Sequence, residues 1–197
     1  DASWPQKLPN NWILGQVGGL YVAPDDHIWV YQRPRTLTND EAALTGATHK
    51  TADGKPVDAM GFPRPNGVLG DCCLPAPSVM EFDGSGKMLR AWGGPADPDK
   101  CKAEEGCIWP AIEHGIFIDH NGFVYLGGNG ANGNPNGSAW SSNKGADGMI
   151  LKFTKDGKFV KMIGGAGAKG PDSNNKNGGA NGTPMFYLPA DITVDPV

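Results

Sequence analysis

Apolar and polar residues alternate with a period of two in short runs, and each run is closed by turn-forming residues. The runs 18–22 and 27–31 flank Pro24-Asp25-Asp26, with Leu20, Val22, Ile28 and Val30 as apolar positions. The runs 78–83 and 87–92 flank Gly84-Ser85-Gly86. A third pair, 113–118 and 123–126, is joined by Asp119-His120-Asn121-Gly122, in which Asn121-Gly122 predicts the φ > 0 corner of a two-residue hairpin. A fourth, 149–154 and 158–163, turns at Lys155-Asp156-Gly157. A helical signal is confined to 38–44, where Thr38-Asn39-Asp40 predicts a cap and one helical turn.

The runs repeat. Setting the segment from Met80 on that from Leu151 matches Phe82 with Phe153, Gly86 with Gly157, Lys87 with Lys158 and Gly93-Gly94 with Gly164-Gly165, without a gap. Setting the first hairpin on the third matches Leu20 with Ile116, Val22 with Ile118, Ile28 with Val124 and Val30 with Leu126. Ile192, Val194 and Asp195 begin a further copy on Ile116, Ile118 and Asp119. One copy is an inner hairpin, a loop and an outer hairpin, which predicts a four-stranded antiparallel propeller blade. The expectation is an all-β chain in one domain, 1–197: an arm over 1–15 lying on the body, a first blade over 16–94 with a long insertion at 34–77, a second blade over 113–165, and the first strand of a third over 186–197. Propellers close at roughly four to eight blades. Either this is the front part of a longer chain, or copies associate to complete a ring.

Composition sharpens this. Thirty Gly and 17 Pro favour turns over long helices, and a net charge of −4 with 19% charged residues offers no basic field for nucleic acid. No apolar run is long enough to span a membrane. The four cysteines, Cys72, Cys73, Cys101 and Cys107, lack zinc-ribbon spacing and suit an oxidising compartment. A bridge between Cys101 and Cys107, with a vicinal bridge at Cys72-Cys73, and cross-pairing between the two groups are all open. A start at Asp1, without Met or an apolar leader, is expected of a mature secreted or periplasmic product.

Two stretches carry a family resemblance. Gly15-Gln16-Val17-Gly18-Gly19-Leu20 with Val30-Tyr31-Gln32-Arg33, and His114-Gly115-Ile116-Phe117-Ile118-Asp119, resemble the opening blades of the peptidyl-α-hydroxyglycine α-amidating lyases, six-bladed propellers of NHL-type repeats. The resemblance implies a zinc and a structural calcium in a central cavity, and cleavage of a peptidyl-α-hydroxyglycine to a peptide amide and glyoxylate. It places His114 on one of three zinc histidines and Arg33 on the active-site arginine. The backbone carbonyls of Leu20 and Ile116 fall on two calcium ligands. The family's arginine is followed by Gly-Asp where this chain has Pro34-Arg35, and its Pro-His-Gly is here Glu113-His114-Gly115.

His114 also stands out without the family. Its slot holds Gly18 in the first blade and Ala190 in the third, so the repeat does not ask for a histidine. Imidazole is a natural zinc ligand, and a three-histidine site leaves a coordination position open. The plain alternative is a histidine satisfied by backbone carbonyls. Arg33, matched by Asn129 in the second blade, has a guanidinium suited to a carboxylate or to developing negative charge, or to an ordinary ion pair. His27 and His120, beside turns, and His49, in the insertion, read as structural. Of the six tryptophans, which read first as packing, Trp109 and Trp140 sit in loops where they could line a cleft. The leading expectation is a secreted zinc-dependent lyase acting on a small-molecule or peptide substrate. The alternatives are a non-catalytic propeller that binds a peptide, glycan or protein, and a metal-dependent hydrolase of lactonase or esterase type.

Overall fold

Four turns of one construction organise the chain. The computed structural model describes residues 3–37, 41, 73–131, 145–167 and 178–196, together with the backbone at 49–50 and 56–57. In each turn one residue accepts from the N–H three positions on and donates its own N–H to the carbonyl four positions on. The pairs are Ala23 with Asp26 and His27, Asp83 with Gly86 and Lys87, Asp119 with Gly122 and Phe123, and Thr154 with Gly157 and Lys158. The fourth residue is left-handed every time: Asp26 at φ 60°, Gly86 at 83°, Gly122 at 79° and Gly157 at 76°. This is the three-residue loop that ends in a left-handed bulge. It corrects the two-residue turn expected at Asn121-Gly122: Asn121 keeps negative φ, and Gly122 alone supplies the corner. Asp119 Oδ1 braces its turn by accepting the N–H groups of Asn121 and Phe123 at 2.9 and 2.8 Å.

The strands run β1 (Trp12–Ile13), β2 (Gln16–Val22), β3 (Ile28–Arg33), β4 (His49–Lys50), β5 (Pro56–Val57), β6 (Leu74–Pro75), β7 (Val79–Phe82), β8 (Met88–Trp92), β9 (Glu113–Ile118), β10 (Val124–Gly128), β11 (Met149–Phe153) and β12 (Phe159–Gly164). Sheet 1 has the order β2-β3-β7-β8 and sheet 2 the order β9-β10-β11-β12, both antiparallel throughout. The internal match holds pair by pair. Leu20 faces Val30 as Ile116 faces Leu126, and Met80 faces Ala91 as Leu151 faces Met162. Bulges recur as well. β2 carries an extra residue at Gly18, and β9 an irregularity between its pairings at Ile116 and Glu113. The outer hairpins break register next to Phe82 and Phe153.

The two sheets stack face to face. Tyr31, Trp29, Val79 and Trp92 of sheet 1 close on Ile116, Ile118, Val124, Leu126, Leu151 and Phe153 of sheet 2. The other face of sheet 1 carries Val30, Met80 and Phe82, covered by Trp4, Leu8, Trp12 and Leu14 of the arm. Gln32, fully buried, ties that arm down. Its Oε1 accepts from the Gly15 N–H at 2.8 Å while Nε2 donates to the Ala76 and Pro77 carbonyls at 2.8 and 3.1 Å. β1 pairs in parallel with β6, so the end of the insertion returns beside the arm.

Cys101 and Cys107 are bonded, which excludes cross-pairing between the two cysteine groups, and Cys73 is also in a disulfide. Cys72, the helical turn expected at 38–44, the His49 side chain and Trp140 lie outside the described residues. Residues 186–196, where the first strand of a third blade is expected, have no ladder partner among the described residues and form no strand. The segment nevertheless packs closely on β9: a Cβ at Gly115 would stand 2.6 Å from the Ala190 carbonyl oxygen. Among the described residues no helix is long and apolar enough to cross a membrane.

Candidate functional site

The start of β9 lies against the start of β2 because both carry glycines there. A Cβ at Gly18 would stand 2.5 Å from the Glu113 carbonyl oxygen, and one at Gly19 would collide with the His114 carbonyl. On the other side Gly115 admits the backbone at Ala190. Three successive inner segments therefore converge side by side at their N-terminal ends, and His114 sits in the middle one. His114 occupies the bulged stretch of β9, where an extra residue re-aims a side chain that a regular ladder would hold in alternation.

His114 Nδ1 lies 2.7 Å from the Ala190 carbonyl oxygen. A carbonyl can only accept, so Nδ1 carries the hydrogen, and in the neutral ring Nε2 is left with its lone pair. Arg33 joins the same convergence. Its Nε donates to the Glu113 carbonyl at 2.6 Å, and among the described residues its two terminal nitrogens meet no partner. The structure thus sets Arg33 against the backbone of Glu113, the residue before His114. Leu20 and Ile116 hold equivalent register positions on adjoining inner strands, with Ile116 Cγ2 only 3.2 Å from where a Gly19 Cβ would be.

Beneath them is a buried polar cluster. Glu113, fully buried, takes Arg35 Nη2 on Oε2 at 2.7 Å, and Trp109 Nε1 and Ser78 Oγ on Oε1 at 3.1 and 3.3 Å. Trp109 accordingly belongs to the core, packed edge-on to Tyr31, and lines no cleft. Asp147 is buried beside it and accepts the N–H groups of Ala111, Ile112 and Gly130 at 2.8, 3.1 and 2.7 Å. Burial pushes its carboxyl above the usual range, and the three N–H donors and Arg35 oppose that. Burial, then the charges of Glu113 and Asp147, push the Tyr31 hydroxyl well above its ordinary value, so it stays neutral.

A second group gathers at the opposite, turn-bearing end of sheet 1. His27 Nδ1 stands 2.8 Å from Glu81 Oε1 and 3.6 Å from Asp25 Oδ2. Arg90 Nε meets Glu81 Oε2 at 2.7 Å as an ion pair without a well-directed hydrogen bond, and Lys155 Nζ meets Asp25 Oδ2 at 3.2 Å. Burial acts to raise the Asp25 carboxyl, but the Lys155 and His27 hydrogen bonds and charges outweigh it and hold it below the usual range. Among the described residues these three side chains are the set whose ligand atoms, one from each, all lie within 4.8 Å of one another. His120, by contrast, only meets Asn121 Nδ2 at 2.9 Å.

Along the chain Asp25 reads as a turn former, and Glu113, Arg35, Asp147 and Glu81 carry no role. The signal was in the repeat. Glu113 and Asp147 fall on Val17 and Ala76, and Glu81 on Lys152, so each charge departs from its counterpart. Around His114 no set of three ligands forms among the described residues. Compared with protein-family models the chain matches none, and a comparison with curated proteins returns no match.

Proposed function

We propose that the chain contributes two blades to an NHL-type β-propeller and acts as a secreted zinc-dependent lyase similar to the peptidyl-α-hydroxyglycine α-amidating lyases. The observation that carries the reading is the glycine-lined convergence at which the Arg33 side chain bonds the Glu113 carbonyl and the adjacent His114 bonds the Ala190 carbonyl. Two face-to-face sheets of one register, with inner strands that converge at one end, support the propeller. The Cys101–Cys107 bridge supports export.

His114 fits the donor chemistry of zinc. Its Nδ1 hydrogen bond fixes the ring and presents Nε2, as outer partners of ligating histidines do. When bound, zinc would supply Lewis-acid polarisation of a substrate oxygen. Arg33 binds and orients: with Nε committed to Glu113, its terminal nitrogens offer a planar fork to a substrate carboxylate. The Leu20 and Ile116 carbonyls are the oxygen type calcium takes, and a cation there would tie neighbouring inner strands.

Metal content and product release test this. The expected outcome is one zinc lost from the purified protein on His114→Ala, together with glyoxylate released from a peptide ending in α-hydroxyglycine by the wild type alone. Zinc lost on His114→Ala without any glyoxylate turns the reading to a hydrolase on the same scaffold. A zinc content indifferent to His114 leaves the non-catalytic binding propeller. That second reading has its own support, because both arginines near His114 engage Glu113, and such an arrangement needs no substrate.

A further inference from the structure

Asp25, His27 and Glu81 converge at the end of sheet 1 away from His114. We propose that they form a separate, structural site for a divalent cation of the zinc class, built from Asp25 Oδ2, His27 Nδ1 and Glu81 Oε1. One imidazole nitrogen and two carboxylate oxygens are a donor set suited to such ions, and the three atoms already lie within 4.8 Å of one another.

The ligands are positioned by groups that a cation would leave in place. Glu81 is 1% exposed, and Arg90 Nε at 2.7 Å occupies its Oε2, so Oε1 faces His27. Arg90 also reaches Asp156 Oδ1 at 3.3 Å, in the outer turn of sheet 2. It thus acts as the outer partner that orients a ligating carboxylate. Asp25 Oδ1 accepts the His27 N–H at 3.3 Å, which sets those two residues relative to one another. The Lys155 ammonium on Asp25 Oδ2 is the group a cation would displace, and at one-third exposed it can turn into solvent. With the metal on Nδ1 the neutral ring carries its hydrogen on Nε2.

The second sheet supplies an independent argument. The positions matching Asp25, His27 and Glu81 are Asn121, Phe123 and Lys152. There Lys152 Nζ stands 3.9 Å from the centre of the Phe123 ring and 3.8 Å from Asp119 Oδ2. In sheet 2 the space between inner and outer hairpins is filled by a built-in cation. In sheet 1 the same space is lined by donors that take one.

Zinc titration of the metal-stripped protein against a chromophoric chelator tests the site, using His114→Ala, Asp25→Asn and His27→Gln variants. Asp25 and His27 are 44% and 32% exposed at the turn, and buried Glu81 is left intact with its Arg90 partner. The expected result is that His114→Ala still binds roughly one zinc per chain, whereas Asp25→Asn and His27→Gln each weaken that binding by ~100-fold or more and abolish the zinc-dependent rise in thermal midpoint. A His114→Ala protein that takes up no zinc overturns the inference, as does unchanged binding in both turn variants. Zinc lost only on His114→Ala would sink this site and leave the lyase reading standing; zinc lost only on the turn substitutions would do the reverse.

Discussion

At the scale of single residues, the placement of His114 depends on a carboxylate that never touches solvent. Glu113 is fully buried and, among the described residues, the charged partner of its carboxylate is Arg35, at 2.7 Å. Breaking such a pair from one side leaves a buried charge without compensation, at a cost of about 3–5 kcal/mol, whereas removing both charges is close to neutral. Arg35→Met is therefore expected to lose about that much stability in urea unfolding at neutral pH, and adding Glu113→Gln to recover most of it. A double variant no better than Arg35→Met would mean that the arginine matters for packing alone. Asp83 gives a different, acid-dependent signature. The Ser85 hydroxyl, followed by the Lys87 and Ser85 N–H groups, holds its carboxyl below 3.8, the ordinary value of an aspartate. The folded state thus binds this proton less readily than the unfolded chain, so the stabilisation is present above pH 3.8 and is lost as the pH falls through the lowered value. Asp83→Ala should lower the thermal midpoint at pH 7, and the gap from wild type should close in strong acid. A gap that persists there would show that the turn does not depend on the charge.

At the scale of elements, the four turns share a backbone but differ in what surrounds their left-handed corner. A Cβ at Gly122 would meet only the flexible Lys155 stem, 3.2 Å away at Cε, so Gly122→Ala should cost about 1–2 kcal/mol of backbone strain. A Cβ at Gly157 would press into the Trp92 ring at 2.6 Å, and that ring is held by Nε1 donating to the Lys155 carbonyl at 2.9 Å. Overpacking adds about 1–3 kcal/mol, which makes Gly157→Ala the more damaging change in denaturant titration. Equal losses would mean that the indole gives way freely. These elements also show how far the sequence could be read. Strand positions were legible because alternation is local and the two copies confirm one another, as Leu20 with Ile116 and Val30 with Leu126 do. Turn type was not. A two-residue loop at Asn121-Gly122 and a three-residue loop ending at Gly122 have the same composition, but the first would set Ile118 opposite Tyr125, whereas Ile118 pairs with Val124. His114 and Arg33 were legible as departures from the repeat. Their support was not, nor was the second cluster: Arg35 and Glu113 are 78 positions apart, and His27 and Glu81 are 54 apart. The first pair exists only once the sheets have stacked, the second only once β3 and β7 have paired.

At the scale of the molecule, the stacking of sheet 1 on sheet 2 leaves one surface unlike its counterpart. Ile116 and Ile118 of β9 are 4% and 2% exposed because sheet 1 covers them. Their matches on β2, Leu20 and Val22, are 58% and 55% exposed, and Val17 on the same strand is 51% exposed. The arm covers the outer part of that face, over Phe82 and Met80, with Trp4 at 5.5 Å from the Phe82 ring, and it stops short of the innermost strand. Since β2 and β9 are copies, the surface that fits Leu20 and Val22 is the one that already fits Ile116 and Ile118: the face of another sheet of the same register. For this chain by itself the available partner of that kind is a second copy, bound head to tail, a contact that can continue around a ring. Full burial of a leucine or valine side chain stabilises by about 1.5–3 kcal/mol, so covering this row would make a substantial contribution to association. The expected behaviour is a mass that rises with concentration in light scattering. Leu20→Lys, whose charge would be stranded in the contact, should return the protein to monomer without lowering its thermal midpoint, because position 20 is exposed in the single chain. A monomer at every concentration would refute the head-to-tail fit. Association that survives Leu20→Lys would place the contact elsewhere.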